Sequence, residues 1–370
     1  MLPSFNMSTS WDNFVENLSD NLPLIADVTV TVGGGGDYAT INDALEALTR
    51  KYPTYKANGH TAEISLLSGF VMAEQVFVVG VDLGWIEITS VDAEVTIQRS
   101  ALTQEFRAGR YPAFGARRAT LPYVRCIFNM DTSGTATNRD GFGLWELSKL
   151  NINQSGGVQG GIKNAATKGV WLSQASILNA DRGVISHSGE DNVFVSECSV
   201  AELDKADLSN AGRHAIKAEK GARVYAGADG GACDLSNAGD HAIAATYGSF
   251  VSAMEATITN AGGRGVSAVD GCMVDVRSAD ISGATSHGIY AEGVSVVNAG
   301  SANISGAGGH GVWANRGSKI NVNNANCQKG ASPHNDDIHI LRGSIISAQD
   351  ATGGALATVN TVSQAGIVFR

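Results

Sequence analysis

Three features of the 370-residue sequence point to an all-β fold class, a right-handed parallel β-helix. They are a repeat of about 23 residues, apolar alternation of period two inside each repeat, and glycine where the alternation breaks. The repeat is plainest in ADLSNAG at 206–212, CDLSNAG at 233–239, ATITNAG at 256–262, ADISGAT at 279–285 and ANISGAG at 302–308. Their anchors, Leu208, Leu235, Ile258, Ile281 and Ile304, stand 27, 23, 23 and 23 residues apart, and a further 23 reaches Cys327. Eight residues past each anchor comes Ile216, Ile243, Val266, Ile289 or Val312. Two further on comes Ala218, Ala245, Ala268, Ala291 or Ala314. Residues at i and i+2 share one face of a strand, so this is a strand with a buried side. Gly221, Gly248, Gly271, Gly293 and Gly317 then mark a turn, and a third apolar stretch follows at Val224, Val251, Val274, Val296 and Ile320. A single coil of three short strands cannot bury its inner face; stacked coils can, with equivalent residues ~4.8 Å apart. A propeller blade wants roughly 40 residues, and a leucine-rich repeat wants more Leu and an Asn/Cys ladder.

The chain divides accordingly. Residues 1–27 lie outside the pattern and read as an N-terminal arm. Its apolar Trp11, Phe14 and Leu18 would either dock it on a larger particle or fold over the first coil. Residues 28–60 hold a strand, VTVTV at 28–32, four glycines at 33–36, and a short capping helix. Thr40 is its N-cap, and Ile41, Ala44, Leu45 and Leu48 fall at i, i+3, i+4 and i+7 on one face. A solenoid needs such a cap, because its first coil exposes apolar interior and unpaired backbone. The glycine run lacks the Lys and Ser/Thr of a phosphate-binding loop. Residues 61–350 form the β-helix, whose pattern reaches back more loosely through Ile185, Ile177, Ile162 and Ile152, and 351–370 are a last coil or cap. Arg99, Arg107, Arg110, Arg117, Arg118 and Arg125 crowd a stretch that also holds Pro112 and Pro122. It reads as a loop leaving an early coil, either solvated charge or a contact for an anionic glycan or a neighbouring subunit.

Composition excludes several functions. With 26 basic against 36 acidic residues the net charge is −10, which argues against nucleic acid as a partner. No run approaches the ~18 apolar residues of a membrane span, so no membrane insertion is expected. The first basic residue is Arg50 and no long apolar segment precedes it, so a chain made in the bacterial cytoplasm is expected. Cys126, Cys198, Cys233, Cys272 and Cys327 are odd in number and form no C-x-x-C, so they read as small buried thiols.

Three ladders carry the candidate chemistry. His214, His241, His287 and His310 each stand six residues past an anchor, with Arg264 in the one gap. Each rung offers one nitrogen and no carboxylate shares the offset, so stacked structural rings are expected, with no metal and no cofactor. Asp207, Asp234, Thr257, Asp280 and Asn303 precede the anchors and suit side chains bonded to a turn backbone. Nine residues past the anchors stand Lys217, Ala244, Ser267, Tyr290 and Trp313. Offsets eight and ten point inward, so nine points outward, and Tyr290 and Trp313 are expected side by side on an exposed ladder. Aromatic faces suit the apolar faces of a pyranose, and equally suit a subunit interface. Tyr290, Trp313, Lys217 and Arg264 are therefore the polysaccharide-binding candidates.

The opening TVGGGGDYATINDAL at 31–45, AEISLLSGF at 62–70 and GWIEITSVDAEVTI at 84–97 resemble bacteriophage spike proteins built on the pectate-lyase-like β-helix. So do NDDIHILRGSIISA at 335–348 and the terminal GIVFR, and the resemblance extends to spikes of alphaproteobacterial phages and gene-transfer particles. It implies a virion protein, a homotrimer, that recognises host capsular polysaccharide and meets other virion proteins through its N-terminal arm. A depolymerase of the same fold, hydrolase or lyase, and a purely structural spike segment are the alternatives. No motif names a catalytic residue.

Overall fold

The computed structural model describes residues 26–51, 60–107, 109–132, 137–152, 159–227, 231–330 and 336–353, and the backbone of 366–369. The docking candidates Trp11, Phe14 and Leu18 lie outside the described residues. The chain winds into a parallel β-helix with strands paired across eleven stacked coils. Every strand pairing is parallel and in register, such as Ile216↔Ile243↔Val266↔Ile289↔Val312. One side is an eleven-stranded sheet from Val76–Val79 to Ile338–Ile340, and a second is a ten-stranded sheet from Lys149–Asn151 to Gly366–Phe369. The third side is a five-stranded sheet that, after Val184–Ser186, thins to single bridges running Asp207↔Asp234↔Thr257↔Asp280↔Asn303↔Asn326.

The N-terminal end is closed as the spacing requires. Val28–Val32 pairs with Ala62–Leu66, and the helix Ile41–Thr49 buries Ile41, Ala44, Leu45 and Leu48 against it. Thr40 Oγ1 accepts the Asp43 N–H at 3.1 Å. The Glu74 carboxylate of the first coil accepts the N–H groups of Ile41 (2.7 Å) and Asn42 (3.1 Å), so an anion sits on the positive end of the helix. Among the described residues no helix is long and apolar enough to cross a membrane.

The interior is a set of stacked rows. Leu208, Leu235, Ile258, Ile281, Ile304 and Cys327 are fully buried, as are the Ile/Val row at offset eight and the Ala row at offset ten. Each buried Ile or Leu contributes ~1.5–3 kcal/mol of hydrophobic burial. In the earlier coils Phe114 packs between Phe128 and Phe142 at 4.9 and 5.1 Å between ring centroids.

Two positions depart from the expected register. The third inner row runs Val251↔Val274↔Val297↔Ile320, so Val297 is inside and Val296 outside, 37% exposed. Likewise Leu178, not Ile177, faces inward. Adjacent residues of a strand face opposite sides, and at Val297 the coil keeps its 23-residue register with Val274 while only the glycine of the preceding turn comes one residue early. There the two left-handed positions are Gly293 and Val294, where the other coils have Lys220–Gly221, Tyr247–Gly248, Asp270–Gly271 and Arg316–Gly317. Four cysteines are buried, but Cys198 is exposed because it sits on such a left-handed turn, φ 60°.

The other expected ladders form. Asp207, Asp234 and Asp280 accept the N–H of the residue two further on, at Ser209 (3.0 Å), Ser236 (2.9 Å) and Ser282 (3.2 Å). Five of the six arginines of that stretch form ion pairs within the chain, and Arg99 donates to the Asn164 carbonyl at 3.4 Å. Arg117 and Arg118 reach Glu146 at 2.9 Å and Arg107 at 3.7 Å, Arg110 reaches the buried Asp140 at 3.3 Å, and Arg125 reaches Glu87 at 3.0 Å.

Candidate functional site

The outward row of the eleven-stranded sheet gathers most of the candidate residues. Strand alternation turns Lys217, Ala244, Ser267, Tyr290 and Trp313 outward, and they pair in register in that order. The same row continues through Phe194, Trp171, Gly143, Gly115 and Phe77 on one side and to His339 on the other.

Tyr290 and Trp313 are neighbours, with ring centroids 5.3 Å apart and planes perpendicular. Their exposure differs from the expectation: Tyr290 is 6% exposed and Trp313 half-buried. The cover comes from the coils beside them. The Arg264 guanidinium lies 3.7 Å above the Tyr290 ring and donates to Ser267 Oγ at 3.0 Å, and the Tyr290 hydroxyl donates to Glu292. Burial and the bond to Glu292 raise the Tyr290 pKa, and burial lowers that of Arg264. Trp313 packs edge-on against His287 (4.8 Å), His310 (5.3 Å) and His339 (5.5 Å), and its buried indole N–H has no partner.

A second aromatic stack stands at the N-terminal end of the row. Phe77, Phe106, Trp145, Trp171 and Phe194 follow one another at 4.6, 5.2, 5.2 and 5.8 Å. Gly143 is glycine because the Trp145 ring crosses it; a Cβ there would stand 2.3 Å from the indole. Arg110, Lys168 and Lys217 present their charges to these rings, Arg110 at 4.9 Å from Trp171 and Lys217 at 5.6 Å from Phe194. Between the two stacks the row falls to Ala244 and Ser267, and the span from Phe194 to Tyr290 is four rungs, roughly 19 Å. This is a trough with aromatic ends and a floor of small residues, Ala244 6% and Ser267 5% exposed, with the cation Lys217 in the row itself and Arg264 laid across Ser267 and Tyr290. Phe194 stands 23 residues before Lys217 and Trp171 a further 23 before that, so the repeat spacing reaches both once the outward row is continued back past the regular coils. Before Val170 the spacing becomes 28, at Phe114, Phe142 and Val170, and a search at 23 fails.

The histidine row borders the trough. His214 Nδ1 accepts the His241 N–H (3.3 Å), His241 Nδ1 the Arg264 N–H (3.1 Å), and His287 Nδ1 the His310 N–H (3.0 Å). At His287 this bond uses the Nδ1 lone pair and places the proton on Nε2, whereas His214 Nδ1 also lies 3.2 Å from the His241 carbonyl and His241 Nδ1 2.8 Å from Asp240 Oδ1. Burial pushes His241 and His287 down to about 4 and lowers His214 and His310. Beyond His310 the row does contain a carboxylate. Asp336 stands two residues before Ile338, the partner of Val312, as His310 stands two before Val312. The coil spacing there is 26 rather than 23, which hid it.

The carboxylates along the trough are engaged. Asp191 is fully buried and gripped by Arg213 at 2.9 and 2.7 Å, and Glu292 meets Tyr290, Asn315 and Arg316. Glu219 lies 3.9 Å from Lys217 and 3.6 Å from Lys220.

No protein-family model and no curated protein matches the chain. Solved structures match it at the level of fold. The catalytic domain of a GH87 alpha-1,3-glucanase in complex with nigerose is 10% identical over 92% of this chain and 68% of that one, with a TM-score of 0.50. The ORF18 protein of Geobacillus virus E2 is 9% identical over 84% of this chain and 57% of that one, TM-score 0.41. The A-module of the Azotobacter vinelandii mannuronan C-5 epimerase AlgE6 is 13% identical over 89% of this chain and 93% of that one, TM-score 0.35. The chain is a parallel β-helix protein, and at these identities the fold is what is shared.

Proposed function

We propose that the chain is a spike of a phage-like virion that binds a host cell-surface polysaccharide along the trough between Phe194 and Tyr290. The observation that carries this reading is the outward row itself, with stacked aromatics at both ends and Lys217 and Arg264 beside a small-residue floor. Aromatic faces take the apolar faces of sugar rings, and the cations and hydroxyls take their polar edges. The glucanase of the same fold is in complex with nigerose, which agrees with a saccharide as ligand. Binding is favoured over cleavage, because a glycosidase needs two carboxyl groups free to act at a set separation. Those along the trough are held in ion pairs and hydrogen bonds. On this reading the spike is a homotrimer carried on the particle by its N-terminal arm, residues 1–27.

The test is retention on capsular polysaccharide from the host strain, with the full chain and its Trp171→Ala and Trp313→Ala variants. Each substitution is expected to weaken binding about tenfold, ~1.4 kcal/mol, with circular dichroism and molecular mass unchanged. No new reducing ends or unsaturated uronates should appear. Full binding by both variants removes the trough from the account, and released ends make the protein a depolymerase.

A further inference from the structure

At the C-terminal end of the eleven-stranded sheet, we propose a binding site for a transition-metal cation of the Zn²⁺ or Co²⁺ class, formed by His310, Asp336 and His339. One nitrogen from each ring and one oxygen of the carboxylate lie within 4.8 Å of one another. His339 Nδ1 stands 3.4 Å from Asp336 Oδ2. Donors placed ~2.1 Å from a tetrahedral ion are separated by roughly 3.4 Å, so this edge already has the length that coordination requires. The His310 and His339 rings stack at 4.4 Å between centroids with planes 15° apart. His310 is 8% exposed, while Asp336 and His339 are half-buried, which leaves solvent to complete the coordination shell.

The rest of the row explains why the site falls here. In His287 the Nδ1 lone pair is spent on the backbone N–H of His310, which places the proton on Nε2, and among the described residues His310 is the ring of this row that is grouped with two further metal-ligating side chains. At His310 the pattern inverts. Its Nδ1 lies 2.8 Å from the main-chain oxygen of Asp336; a carbonyl only accepts, so Nδ1 carries the proton and Nε2 keeps its lone pair. The inversion occurs where Asp336 replaces histidine in the row and His339 enters the neighbouring outward row. Two imidazoles with one carboxylate form a donor set suited to borderline cations.

The experiment is a CoCl₂ titration of the untagged full-length chain, followed by visible d–d absorption, with Asp336→Asn and His339→Ala as variants. One Co²⁺ per chain is expected, displaced by Zn²⁺, with binding more than about tenfold weaker in each variant. Zn²⁺ is expected to raise the melting temperature of the wild type and not that of the variants. Circular dichroism of the variants separates lost binding from lost fold. Absence of Co²⁺ bands in the wild type, or bands of equal affinity in both folded variants, overturns the site.

Discussion

Val294 is the residue at which this chain departs furthest from its own rule. It is a β-branched residue at φ 57°, where the equivalent turns place Gly221, Gly248, Gly271 and Gly317. A left-handed conformation costs an L-residue about 1–2 kcal/mol, and more care is needed with a branched Cβ. Glycine removes that cost and forfeits about 0.5–1 kcal/mol through its freer unfolded chain. Val294 is 68% exposed, so little burial is lost with its side chain. The strain term wins, and Val294→Gly is expected to stabilise the protein by ~0.5–1 kcal/mol, read from the urea midpoint. An unchanged or lower midpoint would show that the turn does not strain the valine. The same turn set a limit on what the sequence could disclose. With its glycine one residue early, Val296 looks like the inner residue of the next strand, while Val297 fills that place.

At the scale of elements, what was legible followed locality. The capping helix could be read because its cap and its apolar face lie within one ten-residue stretch. The regular coils could be read because 23 residues return each side chain to the same row. The burial of Tyr290 could not, because its cover is Arg264 from the preceding coil, and the Asp336 rung could not, because three extra residues break the count. The histidine row also shows what a stacked element does that a single residue does not. His241 accepts the Arg264 N–H through Nδ1 and lies 2.8 Å from Asp240 Oδ1, with His214, Asp191, Arg213 and Arg264 around the pair. Burial outweighs the attraction of Asp240 and holds His241 near 4, against about 6.5 in an unfolded chain. Between those values the unfolded chain binds more protons, so stability falls as pH falls. The loss is expected to be on the order of 2 kcal/mol for this ring, given ~1.4 kcal/mol per unit and some screening at its exposed edge. Melting temperature should therefore drop between pH 6.5 and 4. His241→Asn, which keeps an acceptor and cannot titrate, should flatten the drop. An equally steep fall in that variant assigns the acid sensitivity elsewhere.

For the whole molecule, the question is what faces what. Eleven coils at ~4.8 Å make a prism on the order of 50 Å long, with three long sides. The trough occupies one side. The ten-stranded sheet turns outward a different row: Ile177, Val200, Arg223, Phe250, Met273, Val296, Lys319 and Ile345, in register. Ile177, Met273 and Val296 are 38%, 53% and 37% exposed, and the neighbouring row offers Glu202 to the cations of an adjacent copy. Exposed apolar side chains gathered in one row, here interrupted by Arg223 and Lys319, suit an interface, and a stable one hides ~800 Å² per partner.

This side is where the proposed homotrimer would close, leaving the trough outward on each of three chains. Val193 and Val195 are fully buried inside the coil and contribute nothing to such an interface. Light scattering is expected to give three times the chain mass of 38.3 kDa. Met273→Asp places a carboxylate at the centre of the stripe, where an unpaired buried charge costs several kcal/mol in the assembly and almost nothing on a free chain. The variant should run as a single chain with unchanged circular dichroism and with the trough still able to bind glycan, more weakly for want of three linked sites. A wild-type mass of 38.3 kDa refutes the trimer, and an intact Met273→Asp trimer moves its interface to another side.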